Sequence, residues 1–394
     1  MKYDFVLLEN LYSVENHYKD LIILATLLRE AGFSVAIADV FKEQELCKVP
    51  DVPHISLGIH CPRLFKTHQV YNQDHSRLKN FYYRIIKDIY LWRIVKGLKG
   101  VSSNIYLGSL TLDTPAFFFS AFDKNTKYYM WALRSSVPTY WKNNDKGFYY
   151  YVSKSLFNGI QKNKNLKLIV SNDIIRNEFE INVGVERCRL LVRPERVLSE
   201  KPIPKVGRST TNGGLKILYL GTIRPSKQIE FCLEAMKRLD KSNILYTIAG
   251  RCREDKEYGE RINLMAALTP NVVRIDRYIP DAEYEQLLDD CDFVVLCDEK
   301  EASCASNGTM SEALLHGKPI IAPDINPFKY EVEKYGVGFL YKYGDVDSLC
   351  DVLERALCKD TSDFMEKISA YQDNYILHNV ALSLKEQIEC RSVV

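Results

Sequence analysis

The chain of 394 residues lacks the segments that would place it in a membrane or in an oxidising compartment. It has no run of 18 apolar residues, so no membrane-spanning helix is predicted. It opens directly on a predicted strand and shows no secretory signal. The 11 cysteines form no CxxC pair, and the 7 histidines show no metal-ligand spacing. We therefore expect free thiols, a cytoplasmic protein and no metal site.

Charge of one sign is not in large excess, because the formal net charge is only +2. The two halves nevertheless differ. Residues 1–200 carry 28 Lys and Arg against 20 Asp and Glu, whereas residues 201–394 carry 25 against 31. A basic first half indicates an anionic partner there, such as lipid headgroups.

Short apolar strands alternate with amphipathic helices in both halves, and a polar, proline-containing stretch interrupts the alternation. This pattern predicts an α/β fold with two doubly wound, parallel-sheet (Rossmann-like) domains that face a cleft. The predicted parts are an N-terminal domain over 1–200, a linker over 201–214, a C-terminal domain over 215–375 and a helix over 376–394 that is expected to pack back on the N-terminal domain.

The loop after the first strand of the second half carries two cations. Gly221 allows a tight exit from the strand, and Arg224 and Lys227 follow within six residues. Arginine can fork onto phosphate oxygens and lysine acts as a point charge, so the loop suits a diphosphate. The alternative is a solvated basic loop that precedes a helix.

A second candidate site is a predicted helix start near residue 308. The backbone N–H groups of the first helical turn, from Gly308 to Ser311, have no intrahelical acceptor and form an anion site. Glu312 could accept hydrogen bonds from sugar hydroxyls at the same place. The alternative for Glu312 is a capping box with Thr309. Both candidate loops follow strands, so we expect them to face each other across one crevice.

The motifs of the second half occur in a recognisable order between about residues 214 and 358. They lie at 219–227, 248–251, 278–280, 312–322, Glu331 and 344–349. Their order and spacing resemble the retaining glycosyltransferases of GT-B fold that form group 1, also called family 4. The resemblance implies that the C-terminal domain binds a nucleotide-diphosphate sugar and that the N-terminal domain binds the acceptor.

The resemblance also implies roles for individual residues. It assigns the donor diphosphate to Arg224, Lys227, Gly308 and Thr309, the nucleotide base to the segment around Tyr278 and Ile279, and the ribose hydroxyls to Glu312. Gly221 and Arg251 are expected among the other substrate-binding residues. Members often place a histidine near the transferred sugar, and His17 is the candidate here. The alternative for His17 is a helix-start histidine that packs on its neighbours.

The chain departs from the family pattern at two points. Many members have two glutamates eight positions apart; Glu312 is the second, and the first position holds Cys304. Many members also have a glycine pair after the first strand, and the loop 9–16 has none. These departures bear on how the donor is oriented and on the transfer of acceptor-side residues.

Residues 76–100 combine apolar residues at helical spacing with seven Lys and Arg and one Asp. An interfacial helix on an anionic membrane has this composition. An ordinary domain helix with a basic outer face has it too. Binding of nucleic acid is not expected, because no known reading motif accompanies the basic residues.

The favoured hypothesis is a hexosyltransferase-type enzyme that moves a sugar from a nucleotide-diphosphate sugar to a hydroxyl acceptor, with retention of configuration. The acceptor would be a glycan or a lipid-linked glycan, in polysaccharide biosynthesis at the inner face of the membrane. No cofactor or metal is expected, since the cations can stabilise the leaving diphosphate. The alternatives are a non-catalytic nucleotide-binding scaffold or partner subunit and, further off, a nucleotide-sugar epimerase.

Overall fold

The structure is a computed structural model that describes residues 3–8, 16–39, 51–56, 86, 89–110, 116–132, 156–202, 214–239, 243–252, 255–299 and 307–390. The chain divides into two compact units. The first comprises Met1–Val197 together with Leu377–Val394, and the second comprises Leu198–Ile376. Most of the expected linker, residues 203–213, lies outside the described residues.

The first unit contains a seven-stranded sheet. Its strands are β1 (Tyr3–Leu7), β2 (Val35–Ala38), β3 (His54–Ile55), β4 (Ser102–Leu110), β5 (Lys127–Ala132), β6 (Leu166–Val170) and β7 (Leu190–Val192), in the spatial order β3-β2-β1-β4-β5-β6-β7. The helices are α1 (Asn16–Glu30), α2 (Asp173–Glu178) with a following π-helical turn (Phe179–Val183), and the helical residues 89–97 and 156–162. Short 3-10 turns lie at Ala116–Ala121 and Arg187–Arg189.

The last helix of the chain, α10 (Leu377–Glu389), belongs to the first unit. Its apolar face is buried with that of α1 in one core cluster that also holds residues of β1, β4, β5 and β7. The Gln387 side chain accepts a hydrogen bond from Val192 N (2.7 Å) and donates to Val192 O (3.1 Å). The amide thus satisfies backbone groups on the outer side of the edge strand β7, which pairs with β6 on its other side.

The second unit contains a six-stranded sheet. Its strands are β8 (Leu215–Leu220), β9 (Ile244–Ala249), β10 (Val272–Ile275), β11 (Phe293–Val295), β12 (Ile320–Pro323) and β13 (Gly338–Tyr341), in the order β10-β9-β8-β11-β12-β13. The helices are α3 (Ile229–Leu239), α4 (Lys256–Leu268), α5 (Asp281–Asp290), α6 (Gly308–Leu315), α7 (Phe328–Tyr335), α8 (Val346–Leu357) and α9 (Met365–Asp373). A 3-10 turn at Pro225–Lys227 precedes α3, and another at Thr361–Phe364 precedes α9.

Every strand pairing among the described residues is parallel. The central strands of the second sheet are buried on both faces, as their apolar runs predict. In each sheet the strand order reverses once, between β1 and β4 in the first and between β8 and β11 in the second. The prediction of two doubly wound α/β domains is therefore confirmed. Ligands of such sheets bind outside the carboxyl ends of the strands, at the point where the order reverses.

No helix in the described ranges is both long and apolar enough to cross a bilayer. Of the segment 76–100, only residue 86 and residues 89–100 are described. In that part, Leu91, Ile94, Val95 and Leu98 are buried, whereas the basic residues Arg93, Lys96 and Lys99 are exposed. These four apolar residues therefore face the protein interior and the cations face solvent, whereas Ile89, in the same part of the segment, is 39% exposed.

Candidate functional site

The loop after β8 and the start of α6 lie against each other at the reversal point of the second sheet. Gly221 leaves β8 with φ = +151°, a conformation that favours glycine. A Cβ atom on Gly221 would lie 3.4 Å from the Thr309 hydroxyl. Two segments about 90 residues apart in sequence thus lie side by side, and this close approach brings both candidate anion sites together within one unit.

The loop after β8 is held in place by its own hydrogen bonds and by the loop after β9. The Tyr219 hydroxyl donates to Thr222 O (2.9 Å), and Ile223 N donates to Arg251 O (3.1 Å). Burial, reinforced by the nearby Asp298 carboxylate, raises the pKa of Tyr219 well above its ordinary value, so this phenol remains a neutral donor. The loop conformation is therefore set before any ligand binds.

Arg224 immediately precedes the 3-10 turn and is half-buried. Its Nε is buried and has no hydrogen-bond acceptor among the described residues. A guanidinium with an unsatisfied, desolvated N–H can gain a full charge-assisted hydrogen bond from an incoming oxyanion. This geometry suits the phosphate-binding role that the resemblance implies for Arg224.

Lys227, at the end of the same turn, pairs with a carboxylate that the sequence did not single out. Its Nζ donates to Oδ1 of Asp298, which follows β11 and is 1% exposed. The same oxygen accepts a hydrogen bond from Asn307 Nδ2 (2.9 Å). The Lys227 cation is thus held beside the α6 start with its charge partly compensated, rather than standing free on the loop.

The N-cap of α6 is Asn307. Its side-chain oxygen accepts a hydrogen bond from Met310 N (3.0 Å), and its carbonyl accepts one from Ser311 N (3.0 Å). The capping box between Thr309 and Glu312 is therefore wrong, because Thr309 is the second helical residue and not the cap. The amides of the first two helical residues, Gly308 and Thr309, are left for an anion.

Glu312 meets the neighbouring helix α5 instead of closing a capping box. Its carboxylate accepts a hydrogen bond from the Tyr284 hydroxyl, and the backbone carbonyl of Glu312 lies 2.9 Å from His316 Nδ1. The side chain is half-buried near the helix start. Tyr284 therefore orients the carboxylate that the resemblance associates with ribose.

The residues expected to bind the nucleotide lie on the loops that follow β9 and β10, at the carboxyl ends of the strands of the same sheet. Arg251 follows β9 and is exposed, and Tyr278 and Ile279 follow β10, with Tyr278 58% exposed and Ile279 8% exposed. That loop leads into α5 and so to Tyr284. His17 belongs to the first turn of α1 in the other unit, and its side chain lies outside the described residues, as does Cys304.

Three residues at the site were missed by sequence reasoning: Asp298, Asn307 and Tyr284. Asp298 had a usable signal, because it is the first charged residue after a buried apolar run and so falls at a strand's carboxyl end. Asn307 also had one, as a cap residue directly before the helix. Tyr284 had none, since only the packing of α5 beside α6 brings it to Glu312.

A comparison with family models finds a match within the second half of the chain. Residues 207–374 match the family described as glycosyl transferases group 1. The matched residues include the loop after β8, Asp298 and the whole of α6. The resemblance inferred from the motifs is thereby supported over this part of the chain. A search of the curated proteins gives no match.

Solved structures resemble both units together. HepE of Anabaena in complex with UDP gives a TM-score of 0.68 at 13% identity, over 98% of this chain and 99% of that one. The lipopolysaccharide outer core galactosyltransferase WaaB gives 0.65 at 11% identity, over 98% of each chain. A glycosyltransferase from Rickettsia africae gives 0.64 at 14% identity, over 99% and 100%. These likenesses establish the two-domain GT-B fold.

Proposed function

We propose that this protein is a glycosyltransferase that takes a nucleoside-diphosphate sugar and passes the sugar to a hydroxyl acceptor with retention of configuration. The donor diphosphate binds at the reversal point of the second sheet. Arg224 and Lys227 approach it from the loop after β8, and the amides of Gly308 and Thr309 approach it from the start of α6.

The close approach of Gly221 to Thr309 carries this proposal, because it brings the cation loop and the helix start to one place. When the bond between sugar and diphosphate breaks, negative charge builds on the diphosphate oxygens. Fixed cations and helix-start amides aimed at those oxygens lower the barrier without reorganising. The family match over 207–374 supports the same chemistry.

UDP is the nucleotide to test first, because HepE has been crystallised with UDP and with UDP-glucose. The exposed Tyr278 ring offers a flat apolar surface for a base, and Glu312 offers acceptor oxygens for ribose hydroxyls. A glycan or lipid-linked glycan is the acceptor class that we propose, with polysaccharide biosynthesis as its setting; WaaB carries the name of a lipopolysaccharide galactosyltransferase.

A cytoplasmic location with peripheral contact to anionic lipid remains part of the proposal. The exposed cations Arg93, Lys96 and Lys99 support an electrostatic contact, whereas the buried apolar stripe beside them does not support insertion. Co-sedimentation with anionic vesicles at rising salt tests it. Binding that persists at high salt would contradict an electrostatic contact.

The decisive experiment measures release of UDP and free sugar from UDP-sugars by the wild type and by Lys227→Ala. Loss of one charge-stabilising donor is expected to lower turnover by about 10²–10³. Lys318→Ala is the matched control. Its Nζ donates to the carbonyls of Asp289 (2.8 Å) and Cys291 (2.9 Å). Both residues precede β11, so they lie at the amino-terminal end of that strand, away from the proposed site.

Three results would contradict parts of the proposal. Near-normal turnover of Lys227→Ala would remove the diphosphate role. UDP binding without any release of sugar would favour the scaffold alternative. Activity that disappears with EDTA and returns with Mg²⁺ would contradict metal independence. The anomeric configuration of the product, read by NMR, tests retention.

A further inference from the structure

Asp298 joins the two halves of the proposed diphosphate site through one oxygen atom. Its Oδ1 accepts hydrogen bonds from Lys227 Nζ, on the loop after β8, and from Asn307 Nδ2, at the start of α6. The residue follows β11, which pairs directly with β8. Asp298 is therefore the point at which the cation loop and the helix start are connected.

Stability alone does not account for this buried carboxylate. Asp298 is 1% exposed, and its second oxygen, Oδ2, is buried without a hydrogen-bond partner in the part of the chain that the structure describes. A buried ion pair that leaves an oxygen unsatisfied contributes little net stability, because desolvation offsets the attraction. An effect other than stabilisation of the fold therefore has to explain why this carboxylate is buried here.

One consequence is that Asp298 fixes the orientation of the cap residue. Because Asn307 Nδ2 faces the carboxylate, the amide oxygen of Asn307 faces Met310 N (3.0 Å) and caps α6. The cap satisfies the amide of the third helical residue and leaves those of the first two available. The carboxylate thus acts on the anion-binding amides through Asn307.

The other consequence is that Asp298 restricts a flexible cation. A lysine side chain has four rotatable bonds, and ordering it on ligand binding costs conformational entropy. The Lys227 side chain is only 12% exposed and is already ordered by Asp298 in the free protein. A diphosphate that binds here does not have to immobilise it.

We propose that Asp298 is a positioning residue that holds Lys227 and the α6 start in their binding arrangement before the donor arrives. This inference rests on the proposed function for its ligand, a nucleoside diphosphate. It predicts that Asp298 acts only through the groups that it holds, so its removal should weaken binding when Lys227 is present and have less effect when Lys227 is absent.

The first arm of the test uses the free protein. Hydrogen exchange at the Met310 amide is expected to be at least about tenfold faster in Asp298→Ala, because the cap residue loses its orientation. Asp292→Ala is the matched control, since Asp292 precedes β11 at the other end of the strand and accepts from Lys216 N (2.7 Å). Unchanged exchange in Asp298→Ala would overturn the proposal whatever the protein's function.

The second arm measures the affinity for UDP by calorimetry in a double-mutant cycle. Asp298→Ala is expected to weaken UDP binding about tenfold, and Asp298→Asn, which keeps the acceptor, should lie between it and the wild type. When Lys227 is already alanine, adding Asp298→Ala should weaken UDP binding by less than about threefold further. This remaining loss is the part that passes through Asn307. Fully multiplicative losses, or tighter binding in Asp298→Ala, would overturn the positioning role.

The two arms separate the inference from the function on which it rests. If the wild type fails to bind both UDP and inorganic pyrophosphate while the Met310 amide behaves as expected, the proposed function falls and the positioning of the helix cap stands. If the wild type binds UDP but the cycle shows no coupling, the function stands and the positioning role falls.

Discussion

Replacing Gly250 with alanine should damage the proposed site through its backbone alone. Gly250 follows β9 with φ = +132°, and a Cβ atom there would lie 1.9 Å from the carbonyl oxygen of Gly221. Ordinary contact begins at 3.4 Å, so the two loops must separate by about 1.5 Å. The backbone strain costs about 1–3 kcal/mol and overpacking about 1–3 kcal/mol, which gives about 2–6 kcal/mol of destabilisation together.

The same displacement shifts the loop that carries Arg224 and Lys227 relative to the start of α6, because β8 lies between β9 and β11 in the sheet. A misplacement of this size in a preorganised site lowers affinity and rate strongly, so UDP affinity is expected to fall by about 10²-fold. Urea unfolding and calorimetry measure the two effects on the same variant.

Gly338→Ala is the matched control for this substitution. A Cβ on Gly338 would lie 2.0 Å from Ile320 O, a clash of similar size. Both residues are the first of their strands, so they lie at the amino-terminal ends of the strands, away from the proposed site. We expect a loss of stability with little loss of UDP affinity in the folded protein. A folded Gly250→Ala variant that binds UDP as well as Gly338→Ala does would refute the reasoning.

Three further predictions concern single side chains. Tyr284→Phe removes the hydroxyl that donates to Glu312, so preference for UDP over 2′-deoxy-UDP should fall by about threefold to tenfold in competition binding, the effect of one hydrogen bond. The pKa of Asp4 is lowered below its ordinary value of 3.8 by hydrogen bonds from a serine hydroxyl and amide. Its contribution is therefore present above pH 3.8 and lost as the pH falls through the lowered pKa, so urea titrations should show Asp4→Asn less stable at pH 7 and equal to the wild type in strong acid. Arg189→Met should cost about 3–5 kcal/mol in urea unfolding, because that buried guanidinium donates to three backbone carbonyls. Arg193→Met should cost less than about 2 kcal/mol, because its Nε and Nη1 have no acceptor among the described residues and its ion-pair partner Asp20, 3.7 Å from Nη2, is 32% exposed and can be hydrated, while methionine can keep the packing on the Trp131 ring. Equal losses of stability in the two variants would contradict the argument that a buried guanidinium with unsatisfied N–H groups contributes less to stability than a fully hydrogen-bonded one.

Much of the fold was predictable because local patterns decide it. The apolar runs that became β8, β11 and β12 are buried on both faces, and period and punctuation identify such strands without tertiary information. The strands β3, β7 and β10 were not predicted. All three are short, and β3 and β10 are only partly buried, so none of them produces a strong apolar signal.

The candidate site, too, has residues that local patterns predict and residues that they do not. Glycine, arginine and lysine after a strand, and small residues at the start of a helix, are local signals. They placed Gly221, Arg224 and Lys227 after a strand and Gly308 and Thr309 at a helix start. The capping role of Thr309 was wrong for a local reason, since a stronger cap residue, asparagine, stands two positions earlier.

The sequence by itself determined which segments become parallel strands and which loops carry cations and free amides, because those properties depend on residues within a few positions of one another. Only the tertiary structure decided that β8 lies beside β11, that Lys227 donates a hydrogen bond to Asp298, and that Tyr284 reaches Glu312. Strand order is set by how whole elements pack over long sequence separations. No local pattern encodes which two strand ends will become neighbours, and it is that neighbour relation which assembles the site.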